Sequence, residues 1–243
     1  MKFTISWLKQ YIDPGLTAAE VADRLTMAGL EVDSVQELFA GFDNIKVAKV
    51  LTVERHPNAD KLTVCKVAVG DEEKQIVCGA PNVRAGLTTA VALPGARLPS
   101  GLVIKKAKLR GVESQGMLCS AKELEVSEEA EGIMELPDTL ESGAMLVDAL
   151  GLRDTLVEVD LTPNRPDCAS VLGIARETGG FTGRKVTPPI TEADLPELDG
   201  RDLPFEVEVR DFAACPRYAA RLLTDVAIGP SPWWLRRQLL AVG

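Results

Sequence analysis

The residues that could do chemistry are few, and their spacing does not suit it. His56 is the only histidine in the chain. Every Ser-His-Asp or Cys-His arrangement would have to use it, and no elbow motif presents a serine or cysteine to it. It precedes Pro57 in a turn, where a structural hydrogen-bonding role is the better reading than catalysis. The five cysteines, Cys65, Cys78, Cys119, Cys168 and Cys215, form no CxxC. They have neither zinc-ligand spacing nor the pattern of a secreted disulfide framework. The glycine-bounded run Gly79–Gly86 lacks the Lys-Ser/Thr pair of a phosphate loop. The acidic pair Glu128-Glu129 falls in a run that reads as solvent-facing. The expectation is no catalytic residue and no metal ligand.

Binding by charge is the chemistry left. The net charge is −9, which argues against a protein that coats nucleic acid by bulk attraction. The distribution is more telling than the sum. From Lys74 to Val112 there are seven basic residues and no acidic one; from Glu113 to Asp148 there are ten acidic residues and one lysine. Such polarisation can hold a local basic surface, although composition alone also fits two solvated faces. The candidates for phosphate contact are Lys105, Lys106, Lys108 and Arg110, with Arg84, Arg97 and Lys61 behind them. If 102–109 is one strand, Lys106, Lys108 and Arg110 share a face opposite Lys105. No Phe, Tyr or Trp occurs between Phe42 and Phe181. Base stacking, worth about 1–3 kcal/mol per base, is therefore not available to this region, and RNA would be met through backbone and shape.

The elements that must position these residues can be read from pattern. Thr17-Ala18-Ala19-Glu20 fits a capping box, and Val21, Leu25 and Ala28 recur at helical spacing before Gly29. Trp7, Leu8, Tyr11 and Ile12 form an earlier apolar stripe, separated by Asp13-Pro14-Gly15. From about residue 39 the texture changes. Segments 44–53, 61–69, 74–79, 87–93 and 102–109 are short, rich in Val, Ile and Thr, and divided by turn residues, and a shorter strand covers 115–119. That spacing predicts an antiparallel barrel. Ser142 is expected to cap a short helix through Leu150, 156–161 to form a strand, and Asp167 to cap a helix to about Gly179. Pro163 and Pro166 stiffen the turn between them, with Arg165 in an internal salt bridge. Residues 187–204, with Pro188, Pro189, Pro196 and Pro204, read as a linker. A new unit opens at Phe205, where Ser231 is expected to cap, and Pro232 to take the first helical position of, an amphipathic helix that runs on through Trp233. The 39 residues from Phe205 onward are fewer than an independent domain needs, so this unit reads as truncated. No apolar run spans a bilayer and no signal peptide is evident. A reduced, cytoplasmic setting is expected.

Four blocks resemble a known family in order: Arg55-His-Pro-Asn-Ala-Asp-Lys-Leu62, Ile76-Val-Cys-Gly-Ala-Pro-Asn-Val83, Val91-Ala-Leu-Pro-Gly-Ala96 and Lys108-Leu-Arg-Gly-Val-Glu-Ser-Gln-Gly-Met117. They are similar to the tRNA-binding OB domain shared by several synthetases and tRNA-handling accessory proteins. The flanks narrow the host. Met1-Lys-Phe-Thr-Ile-Ser-Trp-Leu-Lys-Gln-Tyr11, Val159-Asp-Leu-Thr-Pro-Asn-Arg-Pro-Asp-Cys168 with Gly173-Ile-Ala-Arg-Glu177, and Cys215-Pro-Arg-Tyr218 with Gly229-Pro-Ser-Pro-Trp-Trp-Leu235 resemble the bacterial phenylalanyl-tRNA synthetase beta subunit.

The resemblance implies an α+β, multidomain chain. An OB-fold β-barrel (39–148) would be inserted into a small split α+β domain (1–38 and 149–200). The truncated start of an editing-module (B3/B4-type) α+β domain (205–243) would follow. It implies tRNA specific for phenylalanine as a partner, an alpha subunit, and a second beta subunit in an alpha2-beta2 heterotetramer, with no DNA and no membrane. ATP and magnesium belong to the holoenzyme, and no cofactor is expected on this piece, whose editing residues would lie beyond residue 243. A free-standing tRNA-binding module and a barrel serving only subunit packing stay open as alternatives.

Overall fold

The computed structural model describes residues 1–128, 130–191, 194, 206–220 and 222–243. Within the expected linker, Pro196 and Pro204 lie outside the described residues, as does Phe205.

The chain opens with β1 (Lys2–Thr4), which runs directly into α1 (Ile5–Lys9). Thr4 caps the turn, its hydroxyl accepting from the Trp7 N–H at 3.2 Å. The capping box forms as the sequence predicts. The Thr17 hydroxyl accepts from the Glu20 N–H at 3.3 Å and the Glu20 carboxylate from the Thr17 N–H at 2.8 Å. Helix α2 (Ala18–Met27) follows, burying Val21, Ala22 and Leu25. Strand β2 (Val32–Glu37) returns to a three-stranded antiparallel sheet ordered β1-β10-β2, whose central strand β10 is Thr155–Val159. One core joins these distant segments: Phe3, Leu8, Val21, Leu25 and Leu30 pack with Val157 and with Ile174 of α4 (Val171–Thr182), all fully buried. Each such side chain contributes roughly 1.5–3 kcal/mol of burial.

The intervening strands are β3 (Ile45–Arg55), β4 (Thr63–Val69), β5 (Glu72–Cys78), β6 (Thr88–Ala92), β7 (Ala107–Leu109), β8 (Val112–Ser114) and β9 (Met117–Leu118). Five form an antiparallel sheet ordered β5-β4-β3-β6-β9. The long β3 pairs with β6 through its first half and with β4 through its second. A register shift between Val50 and Thr52 bends it between the two. The sheet curls until β5 meets the segment that leads into β9. There the Gln115 N–H donates to the Gln75 carbonyl at 2.8 Å, and the Val77 N–H donates to Ser114 Oγ at 3.0 Å. Gly116 makes the crossing from β5 to β6 possible: its φ is +154°, and a Cβ there would stand 2.7 Å from the Ala92 carbonyl oxygen. A curled antiparallel sheet with a few helices fits an OB-like α+β fold. The apolar interior holds Val47, Ala90 and Leu146 on one side and Val67, Ile76 and Val91 on the other.

Three expectations of local structure need correction. Ser142 does not cap a helix: its hydroxyl donates to the Ala68 carbonyl and accepts from the Gly70 N–H, tying down the β4–β5 turn. Helix α3 is the short Leu146–Ala149, begun by Met145 with no side-chain cap. Asp167 caps nothing either, because its carboxylate is taken by Arg165; Pro166–Cys168 is a 3-10 turn, and Ser170 caps α4. The third concerns 102–109, where only Ala107–Leu109 is strand, with one isolated bridge between Arg97 and Val103.

Helix α5 (Trp233–Val242) has Pro232, not Ser231, at its N-cap and no side-chain cap, and its Trp233 indole N–H donates to the Leu150 carbonyl at 2.8 Å. Among the described residues no helix is long and apolar enough to cross a membrane.

Candidate nucleic-acid interface

Strands β7 and β8 form their own two-stranded sheet, joined by a two-residue turn at Arg110-Gly111. Both turn residues have positive φ, 48° and 94°, as the primed turn that suits a twisted hairpin requires. Arg110 therefore leaves the extended strand. The alternation that put Lys106, Lys108 and Arg110 on one face fails for two reasons: Lys106 precedes the strand, and Arg110 turns out of it.

The seven predicted contacts separate into distinct places. Lys108 and Arg110 occupy the hairpin, and Lys61 lies on the short loop between β3 and β4. That loop meets the hairpin: Asn58 Nδ2 donates to the Arg110 carbonyl at 3.1 Å, and His56 Nε2 lies 3.1 Å from the Leu109 carbonyl oxygen. Lys105 stands exposed on the approach to β7. Lys106 faces a polar groove shared with Lys46, Lys74, Asp71 and Glu72, where Lys74 is already bonded to Glu72. Arg97 is elsewhere, beside Phe39, Phe42 and Leu98. Arg84 is committed to Glu135, with two parallel bonds of 2.8 Å. That fork, helped by Asn82, holds the Glu135 carboxyl down at about 2. Among the described residues Lys61, Arg97, Lys105, Lys106, Lys108 and Arg110 have no ion-pair partner. They are exposed cations able to meet phosphate.

Sequence reasoning passed over Arg55, Asn58 and the reach of His56. Arg55 ends β3 beside the loop, exposed and equally unpaired. The signal was visible as the Arg55–Leu62 block, but its partner lies more than fifty residues further along the chain. Neither the loop nor the hairpin carries an aromatic residue, since none occurs between Phe42 and Phe181. Phe39 and Phe42 stack edge to face, with centroids 5.2 Å apart, against the barrel core.

Burial pushes the Cys119 thiol up to about 12 and, with the Asp167 hydrogen bond, the Cys168 thiol up to about 11. One trio, Asp167, Cys168 and Glu177, brings metal-ligand atoms within 4.8 Å of one another. The Arg165 guanidinium lies among them, its Nη2 at 3.0 Å from Asp167, 2.7 Å from Glu177 and 3.0 Å from Cys168 Sγ. Arginine supplies the positive charge there, and Asp167 is held down at about 2 by it. This is the internal salt bridge expected of Arg165.

Comparison with known proteins gives this surface a class. Residues 45–145 match the family model described as "Putative tRNA binding domain". The curled sheet is thus similar to the domains that this model describes. Over its whole length the chain is 54% identical to the phenylalanine--tRNA ligase beta subunit of Desulfotalea psychrophila. It is 47% identical to that of Syntrophus aciditrophicus and 49% to that of Geobacter sulfurreducens. The chain matches phenylalanine--tRNA ligase beta subunits along its whole length, and it spans about 30% of the length of these curated relatives. Among solved structures, a MetRS related protein from Pyrococcus horikoshii is 26% identical, with 42% of this chain and 87% of that one covered, at a TM-score of 0.33.

Proposed function

We propose that this chain is the N-terminal, tRNA-contacting and scaffolding part of a phenylalanine--tRNA ligase beta subunit. It contributes to attachment of phenylalanine to its tRNA. The observation that carries this reading is the identity of about half the residues to that subunit over the whole chain, together with the tRNA-binding domain match. The holoenzyme would be an alpha2-beta2 heterotetramer in the cytoplasm, with ATP and magnesium used on the alpha subunit. The barrel, 39–148, is read as an insertion into a domain made of 1–38 and 149–200. Supporting this, Phe3, Leu25, Val157 and Ile174 share one core across it. Residues 205–243 would open the editing module.

The barrel's part in binding is tested in the intact tetramer. Changing Lys105, Lys106, Lys108 and Arg110 together to Gln should weaken tRNA affinity at low salt. The slope of log affinity against log salt should flatten by roughly one unit for each phosphate contact removed. Cognate and non-cognate tRNA should lose affinity about equally, because phosphate carries no sequence. An unaltered affinity and slope, with folding confirmed by circular dichroism, would leave the barrel as a packing element only.

A further inference from the structure

The basic hairpin is weakly built for something that must present charge. Its strands β7 and β8 have three residues each, and an isolated two-stranded hairpin is marginal in water. Its β8 side is tied to the barrel by Ser114 on Val77 and by the Gln75 amide donating to the Glu113 carbonyl at 2.8 Å. Its β7 side, which carries Lys108 and leads into Arg110, meets the barrel through His56 and Asn58.

Those two residues form a single relay. The Asn58 N–H donates to His56 Nδ1 at 3.1 Å, so Nδ1 carries no proton and Nε2–H is free to donate to Leu109. His56 is 5% exposed, so this bond is partly shielded from water. Asn58 then uses its side-chain amide on the Arg110 carbonyl, fixing the peptide between the two left-handed turn residues. Asn, Asp or Gly would occupy the Arg110 position at lower strain. An arginine sits there against its backbone preference, which points to its side chain as the reason.

We infer that the β3–β4 loop and the β7–β8 hairpin form one composite site for RNA backbone phosphates, in which Arg55 joins Lys61, Lys108 and Arg110, and that His56 and Asn58 are positioning residues joining its two halves. The inference rests on the tRNA-binding reading and deepens it. A hairpin held in place has little order left to lose when phosphates arrive, so the same cations bind more tightly than on a loose strand. The nearby acids, Glu54, Asp60 and Glu113, make no ion pair with the four cations, although Glu113 stands opposite Lys108 across the hairpin.

The test uses the intact tetramer and tRNA, with affinity measured across salt. Asn58→Ala is expected to weaken binding about 3- to 10-fold at low salt and to flatten the salt slope by roughly one unit, although it removes no charge. The double variant N58A/R110Q should bind like R110Q alone, because Asn58 acts through Arg110. Arg55→Gln should flatten the slope by itself. His56→Gln should behave as N58A; should it fail to fold, the exposed Asn58 variant carries the test. If R55Q and R110Q change the slope but N58A does not, or if N58A and R110Q are additive, the positioning role is overturned while tRNA binding stands. If none of these variants changes affinity or slope, the composite site is overturned, and the combined change of Lys105, Lys106, Lys108 and Arg110 decides separately whether the barrel binds tRNA.

Discussion

Gly116→Ala should open the seam of the barrel. The added methyl would stand 2.7 Å from the Ala92 carbonyl oxygen and 3.6 Å from Ile76 Cδ1, and the first of these is backbone that cannot rotate away. Relief requires β6 and β9 to separate by about half an ångström, which strains the pairing of Val91 with Leu118 and Ala92 with Met117. Loss of one or two such bonds costs about 0.5–1.5 kcal/mol each, and a side chain at this φ adds roughly 1–2 kcal/mol. The sum is about 1.5–5 kcal/mol, or a fall in Tm of roughly 3–20 °C for a chain of this size. Gly86→Ala is the matched control: its φ is +85°, but nothing lies within 4 Å of its added Cβ. It should show the backbone cost alone, about 1–2 kcal/mol. Thermal and urea unfolding of both variants, followed by circular dichroism, would read the difference. If Gly116→Ala is no less stable than Gly86→Ala, the seam does not close the sheet as described.

Thr17→Ala should lower stability by about 1 kcal/mol through loss of the capping box, read as a shift in urea midpoint with unchanged slope. The Arg84–Glu135 pair makes a signed prediction in acid. The Glu135 carboxyl is lowered from 4.5 to about 2, so its stabilisation is present above the unfolded value and is lost as pH falls from about 4.5 towards 2. Arg84→Gln should remove that part of the acid sensitivity, and identical acid titrations of the two proteins would refute it. Cys65, Cys78, Cys119 and Cys168 are buried and only Cys215 is partly exposed, so a thiol reagent at pH 8 should label one cysteine quickly in the native chain and all five in denaturant. Rapid labelling of two or more native thiols would contradict this packing.

The sequence by itself determined whatever depends on near neighbours. The Thr17–Glu20 box, the break at Asp13-Pro14-Gly15, the series of short strands and the start of α5 at Trp233 each rest on contacts within a few residues. Where local patterns had competitors, the tertiary structure decided. Ser142 and Asp167 carry the right side chains for helix caps, yet Ser142 serves the β4–β5 turn and Asp167 serves Arg165, because those partners lie closer in space. The acid-free run from Lys74 to Val112 showed that cations were available but not which would be free. Folding pairs Arg84 with a glutamate from the acidic run, sets Arg97 beside Phe39 and Phe42, and turns Arg110 out of its strand. It also brings His56 and Asn58 to residues 109 and 110. Closure of a curled sheet creates contacts between segments far apart in the chain, and no periodicity along the sequence encodes which of them will meet.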